Sequence, residues 1–148
     1  YAKEPYPGPD YTVPFGRARL VRAGTDVTLV TWGALVQRSL LAAQEAAEEG
    51  IETEILDLRT IQPLDFESVA SSVARTGRAI VAHEDVLTCG FGAEVAALIA
   101  ERCFADLDAP VRRVAALDTP VGYAPRLEDR ILPQKAGLLE AIREVAAW

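Results

Sequence analysis

The chain has no methionine among its 148 residues, a single histidine and only two cysteines. Each scarcity excludes something. Without a methionine, and with the bulky Tyr1 in a place where initiator removal needs a small residue, the sequence reads as a trimmed domain or a piece of a longer chain. One histidine and two separated cysteines, Cys89 and Cys103, make neither a zinc site nor a disulfide framework, and a reducing compartment fits them best. Basic residues are also few: 15 Lys and Arg stand against 22 Asp and Glu, for a net charge of −7. That balance, with no basic cluster, argues against nucleic-acid binding. No apolar run approaches the roughly 20 residues that cross a bilayer, and no signal peptide is visible. No Walker A lysine follows a glycine-rich loop, which excludes an ATP P-loop.

What is present is an ordinary globular composition, 50% hydrophobic and 25% charged, with enough chain for one core. Tyr1 to Pro14, "YAKEPYPGPDYTVP", is too rich in proline for a helix. We read residues 1–15 as a linker or arm whose tyrosines lie against a surface, and residues 16–148 as the domain. "GRARLVR", Gly16 to Arg22, alternates as a half-exposed strand. After the short turn at Ala23 to Thr25 comes "DVTLVT", a buried strand, and the short link predicts an antiparallel hairpin.

Strand and helix then alternate. A helix is predicted from Ala34 to Glu49, ended by Gly50, then a strand from Ile51 to Leu58. A second helix is capped by Asp65 and closed by Gly77, and "RAIVAHE", Arg78 to Glu84, is the next strand. The helix from about Gly92 carries Val95, Ile99 and Cys103 four apart, on one buried face. "APVRRVAA" is the last strand. A long irregular loop follows from Leu117 to Pro133, and a final helix runs from Gln134 to Trp148 with Leu138, Ile142 and Val145 inward. This order predicts an α/β fold: a three-layer α/β/α domain with a mostly parallel sheet and one antiparallel edge strand. Trp32, Gly33, Arg59, Thr60, His83, Glu84 and Asp85 would then sit at the carboxyl ends of the strands, where such sheets bind ligands.

"HEDVLTCGFGAEV", from His83 to Val95, concentrates the candidate chemistry. Gly90 and Gly92 imitate the first two glycines of a dinucleotide loop, but Val95 holds the third position. The plainer reading is that these glycines allow a sharp turn and close packing of a helix N-terminus. Cys89 with His83 could form a thiol nucleophile and its base, yet no orienting group is evident. The plainer reading is a histidine hydrogen-bonded to a neighbouring acid or chain. His83, Glu84 and Asp85 are consecutive in extended chain and cannot all ligate one ion. Tyr123, Leu127, Ile131 and Leu132 are too apolar for a free loop, so the 117–133 segment either forms a contact surface or covers its own sheet.

Five stretches in order carry a resemblance: "GTDVTLVTWGALV", "DLRTIQPLD", "SVARTGRAIVAHE", "GFGAEVAALIAER" and "LDAPVRRVAALDTPVGYAP". Together they resemble the C-terminal domain of the β subunit of thiamine-diphosphate-dependent 2-oxoacid dehydrogenases (the E1 component), within the wider transketolase C-terminal domain family. The resemblance implies a five-stranded sheet with its first strand antiparallel, and a domain that builds subunit contacts. It implies that thiamine diphosphate and magnesium belong to the full enzyme and are bound by other domains, so no catalytic, cofactor or metal residue is carried over. The implied partners are an E1 α subunit or domain, a second β copy and the peripheral subunit-binding domain of the E2 acyltransferase. The implied setting is cytoplasmic, or the mitochondrial matrix in a eukaryote. His83, Glu84, Gly90, Phe91, Gly92, Tyr123 and Leu127 are the expected interface residues. "HE" and "ERCFADLDAP" lean towards branched-chain enzymes over pyruvate ones. The family usually has Gly-Gly-Phe-Gly where this chain has Cys89-Gly-Phe-Gly; a positive φ at Cys89 would cost about 1 kcal/mol. The competing reading is a small-ligand or nucleotide-binding regulatory module.

Overall fold

The computed structural model describes residues 5–148. Five strands form one sheet: β1 Arg19–Arg22, β2 Val27–Thr31, β3 Thr53–Asp57, β4 Ala79–Val86 and β5 Arg112–Ala116. The helices between and after them are α1 Leu35–Glu48, α2 Phe66–Thr76, α3 Phe91–Arg102, α4 Pro125–Ile131 and α5 Lys135–Ala146. The strand order is β1-β3-β2-β4-β5, parallel except for β1, which runs antiparallel to β3.

Every residue of β2 is buried, because β3 and β4 flank it and helices cover both faces. The period of two sorts its side chains. Val27 and Leu29, with Ile80 and Ala82, pack under α1 and α5 against Leu35, Ala46, Leu138 and Ile142. Val30, with Leu56 and Val81, packs under α2 and α3 against Val69, Val73, Val95 and Ile99. Cys103 completes the second cluster, and burial raises its thiol pKa. It is a small core hydrophobe, as expected. Truncating any of the fully buried Leu or Ile side chains to Ala should cost about 2–5 kcal/mol.

The predicted hairpin does not form: β1 pairs with β3, not with β2. Gly24 explains how. A Cβ there would overlap the backbone of Glu52, Thr53 and Glu54, so the turn lies directly on the start of β3. Thr25 and Asp26 both donate their amides to the Glu52 carbonyl at 2.9 Å, and Asp26 Oδ2 accepts from the Glu52 amide. Four residues reach about 13 Å, enough to step across one strand at a spacing of about 4.8 Å. The short link therefore skips a strand. Arg22 secures the arrangement through the Thr53 carbonyl and the Glu52 carboxylate, both at 2.6 Å.

The segment expected to be irregular also contains structure. Pro125, at the first helical position, starts α4. Gly122 sits against Leu127 so closely that a Cβ would meet the Leu127 Cβ at 2.5 Å. Before the sheet, residues 5–18 carry no helix or strand. They are tied down from Gly16, whose amide donates to Thr60 Oγ1 at 2.9 Å, and Ala18, whose amide donates to Asp65 Oδ2 at 2.8 Å.

Candidate functional site

The strands β2, β3 and β4 run in parallel, so their carboxyl ends share one rim. Trp32 leaves β2 there, Arg59 leaves β3, and His83 lies on β4. The sequence places them at this rim, and the structure shows what each does. The Trp32 and His83 rings stack with centroids 5.5 Å apart and planes 2° from parallel. Phe91, in the first turn of α3, meets Trp32 edge-on at 6.0 Å. This aromatic group is fixed by strand ends on one side and by the helix on the other.

His83 is fully buried. A Cβ on Gly92 would overlap its Cδ2 and Nε2 atoms, and one on Gly90 would lie 2.7 Å from its Cε1. The two glycines are thus a seat for the imidazole. Neither is needed for a left-handed conformation, since Gly90 has φ −65° and Gly92 is helical. The expected histidine hydrogen bond is absent: neither Nδ1 nor Nε2 has a partner among the described residues. Burial pushes the His83 pKa down; Asp85 opposes that shift and Arg113 adds to it. The ring is held neutral inside the protein, and its unpaired nitrogens are a cost of about 1–3 kcal/mol that the packing must offset.

Two candidate chemistries fail on this geometry. A dinucleotide pyrophosphate needs open backbone above the glycine turn, and the His83 ring fills that space. A thiol–imidazole pair needs contact, and the unpartnered His83 nitrogens leave exposed Cys89 without its base. Cys89 does adopt the positive φ, +63°, that its glycine-like position requires. Its neighbour Thr88 is clamped from just beyond β5, with its amide and hydroxyl both donating to the Asp118 carboxylate at 2.9 and 2.6 Å. Those bonds hold the Asp118 carboxyl below the usual range.

Of the seven expected interface residues, His83, Gly90 and Gly92 are buried within the domain, and Glu84 and Phe91 are half-buried. Tyr123 and Leu127 are open, at 96% and 51% exposure, beside Val121 and Leu117. Ile131 and Leu132 turn inward instead, lining a cavity of about 100 Å³ with Val86, Ala116 and Glu84. One flank of the 117–133 segment therefore covers its own sheet, and the other leaves Val121, Tyr123 and Leu127 exposed. The role of Trp32 as the lid on His83 was missed, because no sequence period pairs a strand-end indole with a ring two strands of sequence later.

The fold is a three-layer α/β domain, and comparison with known proteins gives its family. The family described as "Transketolase, C-terminal domain" matches residues 16–138; the chain belongs to it. Its relatives narrow the likeness. It is 46% identical over 147 residues, 99% of its length, to 2-oxoisovalerate dehydrogenase subunit beta 2, mitochondrial, of Arabidopsis thaliana. It is 42% identical over 138 residues, 93% of its length, to pyruvate dehydrogenase E1 component subunit beta of Staphylococcus epidermidis. It spans only 40% of the first of these proteins and 42% of the second. Among solved structures, a split-gene transketolase described as an inactive beta4 tetramer superposes with a TM-score of 0.82 at 26% identity, over 95% of this chain and 45% of that one.

Proposed function

We propose that this chain is the C-terminal assembly domain of an E1 β subunit of a 2-oxoacid dehydrogenase. The whole enzyme decarboxylates a 2-oxoacid oxidatively and passes the acyl group to lipoyl-E2. The observation that carries the reading is 46% identity across 99% of the chain to a 2-oxoisovalerate dehydrogenase β subunit. Similar identity to a pyruvate enzyme leaves both substrate types within it. The domain's part is contact. Tyr123, Leu127 and Val121 are exposed apolar side chains of one segment, and clustered apolar surface of this kind marks contact sites. Glu84 and Phe91 sit at the rim, and His83, Gly90 and Gly92 set that rim's shape from beneath.

Thiamine diphosphate and magnesium belong, in this reading, to other domains of the enzyme. The residues here do not fit them. Among the described residues no three His, Cys, Asp or Glu side chains converge on a metal position, and the glycine turn is filled by an imidazole. The partners are an E1 α subunit or domain, a second β copy and the E2 subunit-binding domain. The compartment is the cytoplasm, or the mitochondrial matrix in a eukaryote; among the described residues no helix is long and apolar enough to cross a membrane.

The test is association. Sedimentation of the chain, alone and mixed with an E1 α subunit or an E2 subunit-binding domain, should show a complex in at least one case. A monomer under every condition removes the assembly role. The isolated chain should show no decarboxylase activity.

A further inference from the structure

Two adjoining clefts open where the arm passes the carboxyl end of β3. One, of about 620 Å³, is lined by Tyr11, Val13, Arg19, Gln37, Asp57 and Arg59 among others. The next, of about 720 Å³, is walled by Tyr6, Tyr11, Arg19 and Arg59. Tyr11, Arg19 and Arg59 are common to both. We propose that this double cleft binds a small anion, with Arg19 and Arg59 on its carboxylate or phosphate head and Tyr11 against its body.

Charge is the first argument. Acids outnumber bases 22 to 15 in this chain, and four of its arginines use that surplus in ion pairs. Arg22, Arg75, Arg112 and Arg143 are each paired to a glutamate. Among the described residues the guanidinium groups of Arg19 and Arg59 have neither an ion pair nor a hydrogen bond, although both stand in one cleft. Asp57 faces Arg19 across the β1–β3 ladder, but its Oδ1 accepts from the Arg59 amide at 3.0 Å. Asp57 and, beside Gly33, Glu84 are the carboxylates near the cleft among the described residues; neither pairs with the guanidinium of Arg19 or Arg59. Two forked cations converging on one space suit a planar or tetrahedral oxyanion.

Conformation is the second argument. Arg59 has φ +56°, one of two positive-φ residues other than glycine among those described. A left-handed arginine is disfavoured, and here the conformation turns the chain at the strand end into the cleft wall. The third is the helix next door. Gly33, Val36 and Gln37 bring the start of α1 to the same cleft. No side chain caps that helix and no acid occupies its first turn, so its amides add to the positive field. Val13, Val21, Val36 and Leu40 supply an apolar wall beside the tyrosines. The ligand class is therefore a small carboxylate or phosphate ester with an apolar or planar body.

The probes are pyrophosphate and isovalerate, with isoamyl alcohol as the uncharged control, followed by amide shifts in the labelled 148-residue chain. Either anion should shift the amides of Gly33, Gln37 and Arg59, and the alcohol should not. A response to pyrophosphate alone assigns a phosphate ligand; a response to isovalerate alone assigns a carboxylate. Arg19→Gln and Arg59→Gln should each weaken binding about tenfold, the worth of one charged hydrogen bond. Asp57→Asn keeps the acceptor for the Arg59 amide and removes the competing charge, so it should tighten binding. Equal response to the alcohol, no response to either anion, or binding unmoved by all three folded variants would overturn the proposal. Because this readout needs no partner subunit, it stands or falls apart from the assembly role.

Discussion

A single imidazole sets the chemistry of the rim at the residue scale. His83 is neutral and covered in the folded protein, and ordinary in the unfolded chain. The unfolded state therefore binds more protons below the usual histidine pKa of about 6.5. Stability is complete above that value and falls as pH drops from there towards the depressed folded pKa. Denaturant midpoints at pH 7.5 and 5.5 should differ, and His83→Leu should remove that difference. It is the chain's only histidine, so the window is its own. Asp85 and Arg113 are the charged groups acting on it. Gly92→Ala should destabilise by about 1–3 kcal/mol through overpacking against the ring. The paired variant Gly92→Ala with His83→Ala should recover part of the loss in a double-mutant cycle. If Gly92→Ala is silent, the seat described here is wrong.

Asp65 shows how one element is pinned to another. Its Oδ1 accepts from the Ser68 amide at 3.2 Å, capping α2, while Oδ2 accepts from the Ala18 amide and the Ser68 hydroxyl, both at 2.8 Å. Burial pulls its pKa upward, but these hydrogen bonds outweigh it and the net shift is downward. The stability it brings is present above the unfolded pKa of about 3.9 and is lost as pH falls through the lower folded value. Asp65→Ala should cost about 1–2 kcal/mol at pH 7, and hydrogen exchange should speed up at Ala18 as well as at Ser68. Faster exchange at Ser68 alone would show that the arm is held by something else. The cap was legible in the sequence, because Asp65 precedes an apolar helical period. The bond to Ala18 was not, since a residue 47 positions away leaves no local trace. The same physics separates the other successes from the misses. The buried faces of α3 and α5 follow from residues repeating every three or four positions. The partner of β1 does not, because pairing β1 with β3 depends on Gly24 lying against a strand that comes much later.

At the scale of the whole molecule, exposed large apolar side chains among the described residues include those on the arm, Phe104 and Trp148, and a run in the segment beyond β5, where Leu117, Val121, Tyr123 and Leu127 follow one another. Glu45 with Lys135 and Glu49 with Arg143 tie α1 to α5 on the far side of the sheet. These are exposed pairs, worth little each; the helices are held by Leu138, Ile142 and Val145 beneath them. Tyr123→Ser with Leu127→Ser should leave thermal stability almost unchanged, since neither side chain is buried. It should weaken any complex by tenfold or more, since buried aromatic anchors dominate interfaces, at about 2 kcal/mol or above. Equal association of variant and wild type would place the contact surface elsewhere.

β1 has one further consequence. It is four residues long, half-exposed, and hydrogen-bonded on one side only. Behind it lies β3, whose first four residues are buried. The short strand is thus a removable guard on an adhesive edge. A protease that cut in the Ala23–Asp26 link would leave it held by the β3 ladder, the Arg22 contacts and the two arm bonds from Gly16 and Ala18. Its departure would uncover a row of unpaired amides and carbonyls on an otherwise buried strand, the template on which chains aggregate. Light scattering after limited proteolysis should rise, and a synthetic peptide of residues 16–23 should suppress it by retaking the vacated edge.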